Sequence, residues 1–112
     1  MAAAFAVGRH DAVDGVVALT VVGELGIVSG DVLTRMTLDA VADDVKDVVV
    51  DLARVTWLDA AGVDALLLGQ DAARRAACTY RVANPSGLVQ YILETTDRER
   101  QLHISASGSA GG

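Results

Sequence analysis

The chain has 112 residues, of which 52% are hydrophobic and 21% charged, with a formal net charge of -6. That length holds one domain with one core, and so much apolar content excludes both a large multi-domain enzyme and disorder over most of the chain. The acidic balance argues against nucleic acid, which is bound through clustered Lys and Arg, and no apolar run approaches the roughly 18–20 residues a membrane-spanning helix needs.

Met1 to Val7 has neither a basic leader nor a small-residue cleavage pattern, so it does not read as a signal peptide. Phe5 to Arg9 and Val16 to Leu25 carry strand signals, and Asp14-Gly15 between them is a turn pair, which predicts an opening β-hairpin. Gly23, Gly26, Ser29 and Gly30 then break the pattern and read as a loop from Gly23 to Gly30. Asp31 is the expected cap of a helix whose apolar positions Leu33, Met36, Ala40 and Val41 recur at helical spacing. It is expected to end near Asp43-Asp44, two carboxylates on the unfavourable end of the helix dipole, a penalty below about 1 kcal/mol.

Val48, Val49, Val50 and Leu52 have the apolar density of a buried central strand, with Arg54 to Leu58 leading on to Asp59. From there a second helix is expected to run to about Ala77, because Val63, Leu66, Leu67, Gln70, Ala73 and Ala77 trace one stripe. Thr79 to Ala83 reads as a strand, and Asn84-Pro85-Ser86 as a turn opening a third helix with Leu88, Val89, Ile92 and Leu93 inward. Leu102, His103 and Ile104 suggest a last short strand or turn. The folded domain is expected over 1–105, followed by a flexible Gly/Ser tail over 106–112. Strand and helix alternating after a hairpin predict an α/β fold: a mixed β-sheet with parallel crossovers and packed α-helices.

Signals for catalysis are thin. The chain has no phosphate-binding loop, no dinucleotide fingerprint and no His-Glu-x-x-His helix, and Gly23-x-x-Gly26-x-x-x-Gly30 is a turn rather than a phosphate cradle. His10 and His103 have no evident relay, so neither a metal nor a cofactor is expected. A single Cys78 cannot close an internal disulfide, which fits a reducing, cytoplasmic setting. Its simplest role is that of a small half-buried hydrophobe, since redox chemistry requires a lowered thiol pKa. Asp39, Asp43, Asp44, Asp47, Asp51, Asp59 and Asp64 crowd the middle of the chain, either as a solvated acidic face or as a surface that meets a basic partner.

The informative stretch is Val48 to Leu68. It sets Asp59, Ala60, Ala61 and Gly62 at a strand-to-helix junction, where Asp59 reads most simply as the N-cap. The next helix's outward stripe would carry Asp64, Leu68, Asp71 and Arg75. Leu66, Leu67 and Leu68 cannot all face one core, so Leu68 is either an incidental exposed residue or a contact. Trp57 is more often a packing residue than an anchor, although tryptophans are over-represented at binding hot spots.

The run VVVDLARVTWLDAAGVDALLL resembles a STAS domain of the anti-sigma factor antagonist type, in which an apolar strand and Asp-Leu lead by a short loop to Asp-Ser-Ser-Gly opening a helix. Gly23-Glu24-Leu25, Ala72 to Ala77, Val82 to Ser86 and Leu102-His103-Ile104 match in order and spacing, so the resemblance spans about Phe5 to Ser105. It implies a small, non-catalytic, cytoplasmic bacterial protein, monomer or weak dimer, that binds an anti-sigma factor of histidine-kinase-like ATPase fold and so frees a sigma factor for transcription. It also implies docking through the Gly23 to Gly30 loop, the Asp59 to Gly62 loop and the exposed face of the helix beginning there, with Gly26, Asp59, Ala60, Ala61, Gly62, Asp64 and Leu68 as the contact residues. The family's switch is the serine directly before the motif's glycine, where phosphorylation adds about -1.5 to -2 charge. Here that position is Ala61, preceded by Ala60, and Gly26 stands where the family often has an aspartate, so phospho-control is expected to be lost. Two alternatives remain open: a STAS subunit of a transporter or larger signalling complex, and a nucleotide or small-molecule sensor. Control by ligand, by redox at Cys78, by another phosphosite or by abundance is equally open.

Overall fold

The computed structural model describes residues 5–96 and 104–105. Strands β1 (Phe5–Asp11) and β2 (Val16–Leu25) are followed by α1 (Ile27–Ala42), β3 (Asp47–Leu58), α2 (Ala60–Arg75), β4 (Thr79–Ala83), α3 (Gly87–Thr96) and β5 (Ile104–Ser105). They form one five-stranded sheet in the order β1-β2-β3-β4-β5. β1 and β2 pair antiparallel, and every later neighbour pairs parallel, so the sheet is mixed and the expected α/β class holds.

The hairpin closes through a 3-10 turn at Val13–Gly15, in which Asp14 and Gly15 have φ of 67° and 77°. Aspartate tolerates this left-handed region and glycine adopts it freely, which is why an Asp-Gly pair stands there. In β2, Val17, Leu19 and Val21 are buried and their neighbours half-buried; in β3, Val48, Val50 and Leu52 repeat the pattern. These two strands form the centre of the core, joined by Leu33 and Ala40 of α1, Leu66 and Ala73 of α2, Val82 of β4, and Val89 and Leu93 of α3.

Three boundaries differ from the sequence reading. α1 begins at Ile27 rather than after Asp31, so only Gly23 to Gly26 lie outside it. Its start is secured by Ser29, whose Oγ accepts the Gly26 N–H at 2.9 Å and donates to the Glu24 carbonyl at 2.7 Å. That side chain satisfies an orphan donor at the helix start, the role expected of Asp31. β3 continues through Arg54 to Leu58 as strand. Its pairing with β2 shifts register between Thr20 and Val22 and again between Gly23 and Glu24, each time with an extra residue on β3. Those bulges break the alternation, leaving Val55 and Leu58 buried three residues apart.

α2 ends at Arg75, so Ala77 is not on its stripe. The Cys78 N–H donates to the Ala73 carbonyl and the Ala77 N–H to Arg74, while Ala77 has φ of 58°. This is a Schellman closure with alanine in the position usually held by glycine. α3 starts after Ser86 as read, the Ser86 Oγ accepting the Val89 N–H, and Val89 and Leu93 are buried; Leu88, expected on the same inward face, is exposed instead. At the end of α1, Arg9 pairs with Asp43 at 2.9 Å, offsetting the unfavourable carboxylate there. β5 pairs with Val82 and Ala83. Leu102, His103 and the tail over 106–112 lie outside the described residues.

Candidate functional site

β2 and β3 run parallel and end together, with Leu25 in register with Leu58. β2 passes into α1 through Gly26, and β3 into α2 through Asp59. Two helix N-termini therefore sit at the carboxyl ends of adjacent parallel strands, the edge at which open α/β sheets present their crevices.

Backbone contacts fix this junction. The Asp59 N–H donates to the Leu25 carbonyl at 3.3 Å, and Asp59 Oδ1 accepts the Gly62 N–H at 3.1 Å, capping α2. Gly62 is buried against Leu25, where a Cβ would run into the Leu25 carbonyl oxygen. Only glycine lets the first turn of α2 approach β2 so closely. Gly26 faces the same carboxylate from the other side, since a Cβ on it would stand 3.3 Å from Asp59 Oδ2. Gly26, Asp59, Ala60, Ala61 and Gly62 thus belong to one cluster, within which Gly62 shapes the loop from below and Ala60 is exposed.

α1 and α2 pack closely where Gly30 meets Ala65; a Cβ on Gly30 would come 3.1 Å from that of Ala65. A groove of about 490 Å³ runs along this pair, with Ile27, Val28, Val32, Ala61 and Leu68 on its apolar surface and Asp31 and Asp64 on its border. Ala61, Asp64 and Leu68 follow one another at helical spacing, so Asp64 and Leu68 extend the loop cluster along a single face of α2. An adjoining recess of about 300 Å³ shares Ile27 and Val28 and adds Phe5, Glu24 and Asp59. Ile27, Val28 and Leu68 are 77%, 66% and 59% exposed, which makes this a contiguous apolar patch rather than scattered surface residues.

Ile27 and Val28 fall within the Gly23 to Gly30 stretch expected to dock but are not singled out from sequence, because that stretch reads as loop. Once α1 is started at Ile27, both residues miss the Leu33–Ala40 stripe, and their exposure follows. Asp71 and Arg75 form an exposed pair at 3.1 Å, a contact of little energetic weight. Trp57 is half-exposed on β3, in register with Glu24, and is not a core residue.

The remaining candidate groups are placed away from this edge. His10 is exposed on β1. Cys78 is buried between α2 and β4, and burial, reinforced by Asp47, pushes its thiol pKa up, the direction opposite to that of a reactive cysteine. Among the described residues, no group of three His, Cys, Asp or Glu side chains is placed to hold a metal ion, and no helix is long and apolar enough to cross a membrane.

A family model described as Mlab, STAS domain matches residues 9–106. Among solved structures, the anti-sigma factor antagonist SpoIIAA in its unphosphorylated form is 16% identical with a TM-score of 0.78, over 95% of this chain and 91% of that one. An anti-sigma factor antagonist from Mycobacterium paratuberculosis is 20% identical with a TM-score of 0.80, over 96% and 90%. The murine Slc26a9 anion transporter in its inward-facing state is 14% identical with a TM-score of 0.73, over 87% of this chain and 17% of the transporter. At these identities the likenesses establish the fold. No curated protein matches the chain in sequence.

Proposed function

The chain belongs to the STAS-domain family, and from that premise we propose that it is a non-catalytic regulator that binds an anti-sigma factor in transcriptional partner switching. The observation that carries this reading is the exposed apolar groove that starts at the Asp59–Gly62 junction and follows one face of α2. Large aliphatic side chains left in water beside a rigid helix pair suit a docking surface better than a catalytic cleft. The domain spans 1–105, acts in the cytoplasm as a monomer or weak dimer, and binds through Gly26, Asp59, Ala60, Ala61, Gly62, Asp64 and Leu68, with Ile27 and Val28 added. Ala61 occupies the phosphorylation position and offers no hydroxyl, so docking is not switched by phosphate there.

The test is direct titration of the protein with the anti-sigma factors of its source cell, alongside incubation with their kinase activity and ATP. Saturable binding without label on the Ala61 loop is expected. Absence of binding to every histidine-kinase-like anti-sigma factor overturns the role, and phosphate on Thr56, exposed three residues before Asp59, overturns the loss of phospho-control.

A second reading, a STAS subunit of a transporter, is favoured by the likeness to Slc26a9, whose matched part is a small share of that chain. Co-purification with a transporter ATPase in place of an anti-sigma factor selects it. An anionic nucleotide is disfavoured, because the Gly62 N–H at the start of α2 is already held by the Asp59 carboxylate and Glu24 shares the recess. A thermal shift of the kind produced by about 2.7 kcal/mol at a hundredfold excess of nucleotide over its dissociation constant would reverse that judgement.

A further inference from the structure

We propose that the α1–α2 groove receives a basic amphipathic helix of the partner protein, apolar side down on Ile27, Val28 and Leu68, with Lys or Arg side chains over the carboxylates at its border. The inference rests on the docking role proposed above and specifies the chemistry of the segment that docks.

The apolar part of the argument is geometric. Ile27 and Val28 project from the first turn of α1 and Leu68 from the third turn of α2, and the groove between the two helices carries all three. A trough between two packed helices accepts the apolar stripe of a third, as helix-in-groove recognition requires. It offers no row of free backbone N–H and C=O groups, so it has nothing with which to pair an added strand.

The charge part selects among helices. Asp31 and Asp64 line the groove, Glu24 and Asp59 line the adjoining recess, and among the described residues no Lys or Arg lines either. Asp31 has Arg35 one turn away at 3.7 Å, a long and largely exposed contact that leaves the carboxylate available. Four carboxylates around an apolar surface repel nucleic acid, anionic lipid and acidic helices alike. They also oppose a second copy of this chain, whose net charge is -6 and whose border would face the same border across a two-fold axis. An apolar helix flanked by cations satisfies both features at once.

The experiment uses the full chain and a helical Leu/Lys peptide as probe, with a Leu/Glu peptide of identical apolar face as control. Methyl NMR should show the Leu/Lys peptide shifting Ile27, Val28 and Leu68 while the Leu/Glu peptide leaves them in place. Val28→Ser and Leu68→Ser, both at exposed positions, should each weaken the Leu/Lys peptide about tenfold with core methyls unmoved. Asp31→Asn with Asp64→Asn, or a rise in salt that shortens the screening length to about 3 Å, should weaken it several-fold. Shifts centred instead near Asp39, Asp43 and Asp44, or equal binding of the Leu/Glu peptide, overturn the proposal. Shifts of the groove methyls with protein concentration alone would give the groove to a second copy and overturn it equally. If an anti-sigma factor binds and is weakened by Leu68→Ser but not by salt or the Asn pair, the docking role stands and the basic complement falls. If the Leu/Lys peptide binds as described and no anti-sigma factor does, the groove chemistry stands and the partner's identity falls.

Discussion

Gly62, in the first turn of α2, is packed against the carbonyl of Leu25, the last residue of β2, so closely that no side chain fits between them. Gly62→Ala must push helix and strand apart, straining the junction that also carries the Asp59 cap. A loss of about 1–3 kcal/mol is expected, the usual cost of overpacking at a site that cannot yield. Gly30→Ala is a useful comparison because its new methyl meets the Ala65 methyl at 3.1 Å and the Ala61 carbonyl oxygen only at an ordinary 3.5 Å, a much smaller overlap than the one at Gly62, relieved by a shift of a few tenths of an ångström between the two helices. Urea denaturation should rank Gly62→Ala clearly below Gly30→Ala; the reverse order would mean that the helix pair, not the junction, is the rigid element.

The Asp59 cap is separable from any role in binding. Its carboxylate satisfies the Gly62 N–H, one of the orphan donors of α2. Asp59→Ala should cost about 0.5–2 kcal/mol, whereas Asp59→Asn, an equally good cap, should be close to neutral in stability. Denaturation midpoints check this, and a large loss in the Asn variant would show that the charge, not the hydrogen bond, holds the helix start.

Much of this architecture is legible in the residues because local and tertiary preferences agree. The hairpin follows from β-branched alternation closed by Asp14-Gly15, and β4 is bounded as Thr79 to Ala83 implies. The start of α1 is not legible, since Gly26, Ser29 and Gly30 are local breakers. They belong there for reasons of packing: Ser29 caps by reaching back to Glu24, and Gly30 admits Ala65. The second half of β3 is obscured by two extra residues that spoil its period. The exposure of Leu68 is implied by three consecutive leucines, but the groove it borders depends on which faces of α1 and α2 meet. That is a tertiary fact no single-segment pattern contains.

Tyr80 points its hydroxyl at Gly69 of α2, and the buried oxygen has no hydrogen-bond partner among the described residues. An unsatisfied buried hydroxyl contributes nothing to offset its lost hydration, so Tyr80→Phe should be neutral or stabilising by up to about 1 kcal/mol. Burial also pushes the phenol pKa well above its ordinary value of about 10. The folded state therefore keeps a proton that the unfolded chain releases, so Tyr80 leaves stability intact below about pH 10 and reduces it as pH rises further. Tyr80→Phe should remove that part of the alkaline loss. It should also recover part of the cost of Gly69→Ala, whose new methyl would otherwise stand 2.8 Å from the hydroxyl.

Ala77 closes α2 in the left-handed region, at φ of 58°. An L-residue there carries a steric cost of roughly 1–2 kcal/mol, part of which glycine returns through its greater entropy in the unfolded chain. Ala77→Gly should therefore raise stability by about 0.5–1 kcal/mol without disturbing the Schellman bonds from Ala77 and Cys78. A loss of stability on thermal denaturation would mean that the alanine methyl makes a compensating contact.

Ala61→Asp separates the stability of the fold from its docking. Ala61 lies in the first turn of α2, where a carboxylate is favoured by the helix dipole by about 0.3–1 kcal/mol, so the variant should fold at least as well as the parent. Its half-buried side chain nevertheless lines the groove with Val28 and Leu68, whereas Asp31 and Asp64 are exposed to water. A helix seated there would strip water from the new charge without bringing a cation down to meet it, and an unpaired charge taken out of water is costly. Partner affinity should fall about tenfold or more even though the added charge has the sign that attracts a basic segment at long range. Isothermal titration beside a thermal melt reads both quantities, and unchanged affinity in a well-folded variant would move the interface off this face of α2.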